Sequence, residues 1–261
     1  MIYAITGASG FVGEYLCERL KKHKVIKLRH NKVWHIPKKI DYIIHLASYG
    51  NHYNQTDELE TVKANYIDLQ ILLDETKNIS YKAFINFSTS SVMLPYQTFY
   101  SATKMAGEYL VKAFVDKYNK PVVSIRPGTI FGEGDAPTHL IPTLFRSCLK
   151  GEVINFVKEP THDYIHISDL ISGVLTVAKH ANKLKGESVE IGNDKPITND
   201  KIRLLIQKIT KKKACIEIVQ SMRAYDNYSW HVDSGRLRSL GWKPKVSLEK
   251  GLRKCYAKLK T

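Results

Sequence analysis

The stretch Thr6-Gly7-Ala8-Ser9-Gly10-Phe11-Val12-Gly13 follows an apolar run that begins at Ile2. Its glycines are spaced G-x-x-G-x-x-G between a strand-like segment and a helical pattern. Such glycines permit a tight turn, close backbone approach to a pyrophosphate, and close packing of helix on strand. The N-terminus of the following helix then faces the phosphates. This stretch therefore predicts a dinucleotide-binding βα turn, with contacts from Gly7, Ser9, Gly10, Phe11, Val12 and Gly13.

Strand-like and helix-like segments alternate outward from this turn. Strands are predicted at residues 2–6, 24–28, 42–46, 83–88 and 122–126, and helices at 11–22, 57–77 and 100–118. This alternation predicts βαβ units and a parallel sheet. A shortened third strand is expected around residues 32–36, because few residues separate Arg29 from Asp41.

The pattern changes beyond Gly132. Helices are predicted at residues 138–150, 169–180, 199–210 and 247–259, with short strands at 153–156, 188–191 and 216–219. The expected fold is α/β, a doubly wound parallel sheet with a smaller C-terminal α/β lobe. We assign residues 1–132, with 163–192 interleaved, to the cofactor-binding domain, and residues 133–162 and 193–261 to a substrate-binding lobe.

The composition of the chain is that of an ordinary globular protein. It has 261 residues, 43% hydrophobic and 25% charged, without an apolar run long enough for a membrane span. The N-terminus lacks a basic leader, and the four cysteines form no CxxC pair, so we expect a reducing, cytoplasmic location and no metal site. A net charge of +15 attracts polyanions, but the lysines are scattered, which favours small anionic ligands over nucleic acid.

The end of the second strand bears on the choice of dinucleotide. An acidic residue there would accept a hydrogen bond from the ribose 2′-hydroxyl of NAD. This chain has Lys27-Leu28-Arg29-His30 instead. The guanidinium of Arg29 can bind a 2′-phosphate through two oxygens, and His30 adjoins it. NADP(H) is therefore favoured, with NAD(H) as the alternative.

The segment Tyr100-Ser101-Ala102-Thr103-Lys104 has the spacing Y-x-x-x-K. Residues four apart share one face of a helix, and a nearby ammonium lowers the pKa of a phenol. Tyr100 could then exchange a proton with a substrate oxygen while a nicotinamide exchanges hydride. A hydroxyl from Ser88-Thr89-Ser90-Ser91, after a buried strand, could contact the same oxygen, and spacing does not choose among the four.

Further motifs follow in a fixed order: His45-Leu46-Ala47, Asn65, Arg126-Pro127-Gly128, Asp163-Tyr164-Ile165-His166 and Gly241-Trp242-Lys243-Pro244. With these motifs the chain resembles, over nearly its whole length, the extended short-chain dehydrogenase/reductase family, also called the NAD-dependent epimerase/dehydratase family. The resemblance implies a Rossmann-type fold and a nucleotide-diphosphate sugar as substrate.

The resemblance also implies roles for individual residues. Thr89 would be the catalytic hydroxyl, Tyr100 the acid/base, and Lys104 the group that holds the ribose and tunes Tyr100. Arg223, in an R-x-x-D motif, would bind the substrate diphosphate. Further cofactor contacts are implied at Leu46, Ala47, Asn65, Arg126 and Gly128, and further substrate contacts at Ser90, Ser91, Thr129 and His162.

The chain departs from the family pattern at informative positions. Ser90 and Ser91 stand where dehydratases of the family carry carboxylates, which disfavours 4,6-dehydration, and His162 replaces a usual arginine. The expected activity is NADPH-dependent reduction of a 4-keto nucleotide sugar. A 4-epimerase that retains its NAD(P) is the alternative, and a non-catalytic nucleotide- or RNA-binding relative is a remote one. Relatives pair through the helices at 57–77 and 100–118, so a homodimer is expected.

Overall fold

The computed structural model describes residues 1–29, 36–52 and 54–260. Its strands are β1 (Ile2–Thr6), β2 (Lys24–Leu28), β3 (Tyr42–His45), β4 (Ala83–Phe87), β5 (Val122–Pro127), β6 (Thr129–Phe131), β7 (Ile154–Phe156), β8 (Thr161–His166), β9 (Ser188–Ile191), β10 (Pro196–Thr198), β11 (Ile216–Ile218) and β12 (Ser229–Trp230). Within these described residues, six strands pair in the order β2-β1-β3-β4-β5-β9, and all five pairings are parallel. The predicted parallel α/β sheet is confirmed.

Helices cover both faces of this sheet. They are α1 (Phe11–Arg19), α2 (Glu58–Val62), α3 (Asp68–Thr76), α4 (Phe99–Tyr118), α5 (Leu140–Lys150), α6 (Ile167–Lys179), α7 (Ala181–Leu184), α8 (Asn199–Thr210), α9 (Gly235–Arg238) and α10 (Leu248–Lys258). Successive strand residues enter opposite layers: Ile5 packs with α1 and α6, whereas Ala4 packs with α3 and α4. Burial on both faces explains why the strands read as continuous apolar runs. None of the described helices has both the length and the apolarity needed to cross a bilayer.

The long helix predicted at 57–77 is interrupted by a π-helical turn. Asp57 begins it, because its side chain accepts a hydrogen bond from the Glu60 backbone N–H at 2.9 Å. The turn (Lys63–Ile67) then separates α2 from α3 and contains the buried Asn65. Such turns often occur at functional positions, and this one lies against α4.

The second half of the chain adds smaller sheets around a third apolar cluster. β8 pairs with β6, β10 and β12, and β7 pairs with β11. Helices α5, α8 and α10 cover the cluster, which contains Phe145, Ile206 and Leu252. The sequence did not predict β6, β8, β10 and β12. The shortened strand predicted at 32–36 lies outside the described residues except for Ile36, and the division into two domains stays a prediction.

Candidate active site

The glycine-rich turn forms a backbone cradle between β1 and α1. Gly7 has a φ of +63°, and a Cβ at this position would lie 2.7 Å from the backbone nitrogen of Ala47. A Cβ on Gly13 would lie 2.2 Å from the carbonyl oxygen of Gly7, and Gly10 begins α1. Backbone without side chains at a helix N-terminus suits a pyrophosphate. The residues present therefore fit a dinucleotide.

Thr6 joins the ends of β1 and β3 beside this cradle. Its hydroxyl oxygen accepts hydrogen bonds from the backbone N–H groups of Leu46 and Ala47, each at 3.1 Å, and lies 2.8 Å from Nδ1 of His45. Burial, with a contribution from Lys104, lowers the pKa of His45 to about 3, so this ring is neutral. Leu46 and Ala47, predicted to contact the cofactor, thus lie against the glycine-rich turn.

Arg29 follows β2 directly and is exposed. The strands β1 and β2 are parallel neighbours, with Thr6 opposite Leu28. Arg29 therefore lies at the C-terminal end of the strands, as does the glycine-rich turn. This position suits contact with the adenosine end of a dinucleotide. His30 lies outside the described residues. The 2′-phosphate contact of both residues remains a prediction.

The predicted catalytic residues meet where β4 ends and α4 begins. Thr98 and Ser101 form a reciprocal capping box that starts α4 and places Tyr100 in its first turn. Thr89 lies near enough to Tyr100 to act on the pKa of its phenol, and Nζ of Lys104 lies 5.9 Å from the centre of the Tyr100 ring. Lys104 is 4% exposed and donates to the carbonyl oxygen of Phe87 at 2.9 Å. The structure therefore brings Thr89, Tyr100 and Lys104 together.

Burial governs the protonation of this group. It raises the pKa of Tyr100 to about 12, which the hydrogen bond with Thr89 partly opposes. It lowers the pKa of Lys104 to about 7. The expectation that Lys104 would leave Tyr100 with a lowered pKa was wrong for the protein alone, because burial of the phenol disfavours its charged form.

The hydroxyl groups near Tyr100 have different partners. Thr89 caps a 3-10 turn (Ser90–Met93): its Oγ1 accepts from the Ser91 backbone N–H at 3.2 Å and lies 3.0 Å from Oγ of Ser91. Ser88 instead donates to Oε1 of Glu108 at 2.5 Å. Ser90 and Ser91 are buried. Among these residues, which spacing could not separate, Thr89 is the one whose side chain acts on the pKa of Tyr100.

Asn65 supports the site from the π-helical turn. Its Nδ2 donates to the carbonyl oxygen of Tyr49 at 2.8 Å and to Oγ1 of Thr103 at 3.1 Å, and its Oδ1 accepts from the Tyr49 backbone N–H at 3.0 Å. These bonds fasten the loop after β3 to α4. The hydrogen bonds of Asn65 thus hold the loop after β3 and helix α4 in place. Its contact with the cofactor remains a prediction.

Arg126 and Gly128 make contacts within the protein. The guanidinium of Arg126 binds the carboxylate of Glu108, with Nη2 2.6 Å from Oε2, and Nη1 lies 3.7 Å from Oε1 of Glu190. A Cβ on Gly128 would lie 2.6 Å from the carbonyl oxygen of Asp163, so this glycine permits close packing of β8. These contacts do not involve the glycine-rich turn, and both cofactor contacts stay predictions.

Three predicted substrate-binding residues fall into one cluster. Thr129 lies on β6 and His162 on β8, two strands that pair with each other. Oγ1 of Thr129 lies 3.4 Å from Nδ1 of His162. The His162 ring packs on Trp230, with ring centres 4.9 Å apart, and Trp230 contacts Tyr225 at 6.0 Å. The Arg223 guanidinium lies 6.0 Å from the Tyr225 ring centre. Sequence reasoning missed Trp230 and Tyr225, because a two-residue strand and a 3-10 turn have no periodicity.

His162 is neutral in this cluster. The pKa of His162 is lowered to about 4. Burial is the main cause, Asp226 opposes the shift, and Arg223 adds to it. Arg223, which is exposed, then supplies positive charge here. Tyr96 lies close enough to Tyr225 to help raise its pKa, so the loop leading into α4 adjoins the cluster. The substrate-side cluster therefore lies near the loop that leads into α4, the helix that carries Tyr100.

Comparison with known proteins agrees with this geometry. The model of the NAD dependent epimerase/dehydratase family matches residues 3–192. Two relatives are an uncharacterized UDP-glucose epimerase, YtcB, of Bacillus subtilis (strain 168), 27% identical over 95% of this chain and 94% of the relative, and CDP-abequose synthase of Salmonella muenchen, 26% identical over 96% and 95%. The structure of UDP-glucuronic acid 4-epimerase from Bacillus cereus, in complex with UDP-glucuronic acid and NAD, has a TM-score of 0.85 at 24% identity and covers 100% of this chain and 99% of that one. That likeness shows a shared fold.

Proposed function

Because the chain belongs to the NAD-dependent epimerase/dehydratase family, we propose that it is a nucleotide-sugar 4-epimerase that retains its dinucleotide. One observation carries the proposal. Tyr100 lies beside Thr89, whose side chain acts to lower the Tyr100 pKa, and beside Lys104, at the C-terminal end of β4 and at the same end of the sheet as the glycine-rich turn. A sugar hydroxyl at Tyr100 would therefore adjoin a nicotinamide.

The residues of the site divide the chemistry among them. A dinucleotide held on the glycine-rich turn would supply the hydride chemistry, which is removal of hydride from C4 of the sugar and its return to the opposite face. Tyr100 removes the proton from the C4 hydroxyl and later returns it, and Thr89 holds the same oxygen by a hydrogen bond. Tyr100 needs a nearby positive charge to act as a base near neutral pH, since burial holds its pKa at about 12. Protonated Lys104 and the cationic ring of an oxidised dinucleotide both provide that charge.

A ketoreductase is the second candidate, favoured by the exposed Arg29 at the end of β2. A 2′-phosphate bound there would select NADPH, which would supply net reducing equivalents and leave as NADP⁺ after each turnover. The same three catalytic residues would protonate the oxygen of a 4-keto sugar. Dehydration is disfavoured, because Ser90 and Ser91 offer no carboxylate beside Thr89.

Product analysis separates the two candidates. Purified protein is incubated with NAD⁺ and either UDP-glucose or UDP-glucuronic acid, and products are followed by proton NMR. The epimerase proposal expects the C4 epimer without net change in NADH absorbance. If instead NADPH is consumed with a 4-keto nucleotide sugar and no epimer forms, the protein is a reductase. Binding of RNA at physiological salt without either activity would support the remote, non-catalytic alternative.

We also propose a homodimer formed through α2 and α4. Leu59 on α2 is 83% exposed and Tyr109 on α4 is 70% exposed, and the contacts between α2 and α4 place these helices side by side. Large apolar side chains exposed on neighbouring helices are available for burial in an interface. Light scattering coupled to size exclusion tests this proposal, which a monomeric mass at high protein concentration would contradict.

A further inference from the structure

Trp230 has an unusual indole group. Its Nε1 is buried and has no hydrogen-bond partner within the described part of the chain. Buried polar groups are nearly always paired, and an unpaired donor is costly. Trp242 shows the usual arrangement, since its Nε1 donates to Oγ of Ser172 at 2.8 Å. The indole N–H of Trp230 therefore lacks the kind of acceptor that Trp242 has.

The groups around Trp230 are rich in donors. The guanidinium of Arg223 carries five N–H donors, and the Thr129 hydroxyl and neutral His162, which pair with each other at 3.4 Å, keep one further donor between them. The carboxylate of Asp226 already accepts from Oγ of Ser221 at 2.5 Å. Donors that converge with positive charge suit a ligand rich in anionic oxygens, and a diphosphate is such a ligand.

The segment that precedes Trp230 is weakly held. Met222 is 100% exposed, Arg223 is exposed, and a single 3-10 turn (Ala224–Asn227) separates them from β12. Short exposed segments with few buried contacts rearrange at low cost. A shift of this segment would let an oxygen of a ligand reach Nε1 and would bring Arg223 onto the same ligand.

We propose that Trp230 is a substrate-binding residue whose indole N–H donates a hydrogen bond to a diphosphate oxygen beside Arg223. The inference rests on the proposed function, which supplies a nucleotide diphosphate as part of the substrate. His162 is the aromatic surface against which the Trp230 ring is held, and Arg223 provides the charge.

The first test observes the wild-type protein directly. Tryptophan labelled with ¹⁵N at Nε1 is incorporated, and the indole N–H signals are followed during titration with UDP, CDP or dTDP. The Trp230 signal should move downfield in step with binding measured by calorimetry, whereas the Trp242 signal should stay. Uridine, which has no phosphate, should leave both signals in place. Signals are assigned from the two variants below.

The second test measures affinity. Trp230→Phe keeps a ring and removes the N–H, and the loss of a hydrogen bond to a charged group should raise the Kd for UDP roughly tenfold or more. Trp242→Phe removes a paired N–H elsewhere and should leave that Kd unchanged. Melting curves and dinucleotide binding check that both variants fold.

The outcomes separate the two proposals. If the diphosphates bind and the Trp230 signal does not move, or Trp230→Phe binds UDP as tightly as wild type, the inference is wrong and the proposed function stands. If Trp230→Phe fails to fold, the wild-type titration decides alone. If none of the three diphosphates binds, the proposed function fails and the inference fails with it.

Discussion

The backbone N–H of Ala47 donates to Oγ1 of Thr6 at 3.1 Å. This bond holds the end of β3 so close to the glycine-rich turn that a Cβ on Gly7 would lie 2.7 Å from the Ala47 nitrogen. The turn therefore depends on a side chain from the residue before it, which a search for glycine spacing alone would overlook.

Gly7→Ala tests this close approach. Both the positive φ and the contact with Ala47 oppose a methyl group, so the free energy of unfolding should fall by about 3 kcal/mol or more, and dinucleotide binding should be lost. Gly134→Ala is the matched control, because Gly134 also has a positive φ, of 89°, but has no atom within 4 Å of its Cβ position. It should cost about 1 to 2 kcal/mol. Equal losses in urea denaturation would contradict the steric argument.

Tyr100→Phe should reduce kcat by about 10²- to 10⁴-fold, the usual contribution of a general acid/base. Dinucleotide binding should change little, because the glycine-rich turn is untouched. Tyr118→Phe is the control, since Tyr118 lies on the same helix at the opposite end from Tyr100. Turnover in Tyr100→Phe equal to that of Tyr118→Phe would remove Tyr100 from the mechanism.

Lys104→Met should stabilise the dinucleotide-free protein while abolishing turnover. The pKa of Lys104 falls from 10.5 to about 7 on folding, so burial of this amine opposes folding at neutral pH. The gain in free energy of unfolding should be about 2 to 4 kcal/mol, after subtracting the lost bond to Phe87.

The destabilising effect of buried Lys104 should depend on pH in a definite direction. The pKa of Lys104 is lower in the folded state, so the unfolded chain binds its proton more strongly between about pH 7 and pH 10.5. The contribution of Lys104 to wild-type stability therefore rises with pH across this window and is flat below it. The difference between Lys104→Met and wild type should shrink from pH 7 towards pH 10 in urea denaturation. A difference that is constant with pH would show that Lys104 is not desolvated.

Arg29→Ala tests the choice of dinucleotide. If Arg29 binds a 2′-phosphate, the Kd for NADPH should rise about 10- to 100-fold, whereas the Kd for NADH should change little. Lys24→Ala removes an exposed charge from the other end of β2 and serves as the control. A wild-type protein that prefers NADH, with no effect of Arg29→Ala on either Kd, would favour the epimerase with NAD.

The sequence predicted the central sheet well, and the three residues that it named as catalytic lie together. β1, β2, β9 and α8 have the predicted bounds, because buried parallel strands and amphipathic helices give clear patterns. It did not predict β8 or β12, which pair although Thr161 and Ser229 are far apart in the chain. Such short strands take their form from distant partners. Only the family resemblance indicated Thr129, His162 and Arg223, and nothing local indicated Trp230.

The electrostatics were harder to predict than the geometry. The Y-x-x-x-K spacing placed Tyr100 and Lys104 on one face, as the structure confirms. The predicted direction of the Tyr100 pKa shift was wrong. Desolvation depends on how completely the surrounding elements cover Tyr100 and Lys104, which the spacing of the two residues does not show. Arg126 illustrates the same limit, since its partner Glu108 is contributed by a different element, α4.

β9 joins the sheet beside β5, although the helices α5, α6 and α7 and three strands lie between them in the chain. During synthesis, β5 therefore leaves the ribosome long before the strand that covers its edge. An uncovered strand edge is a template for pairing with other chains. A nascent chain stalled before Ser188 would expose the unpaired edge of β5, the strand that contains Val123 and Ile125. Such a chain would need a chaperone or rapid completion to avoid aggregation.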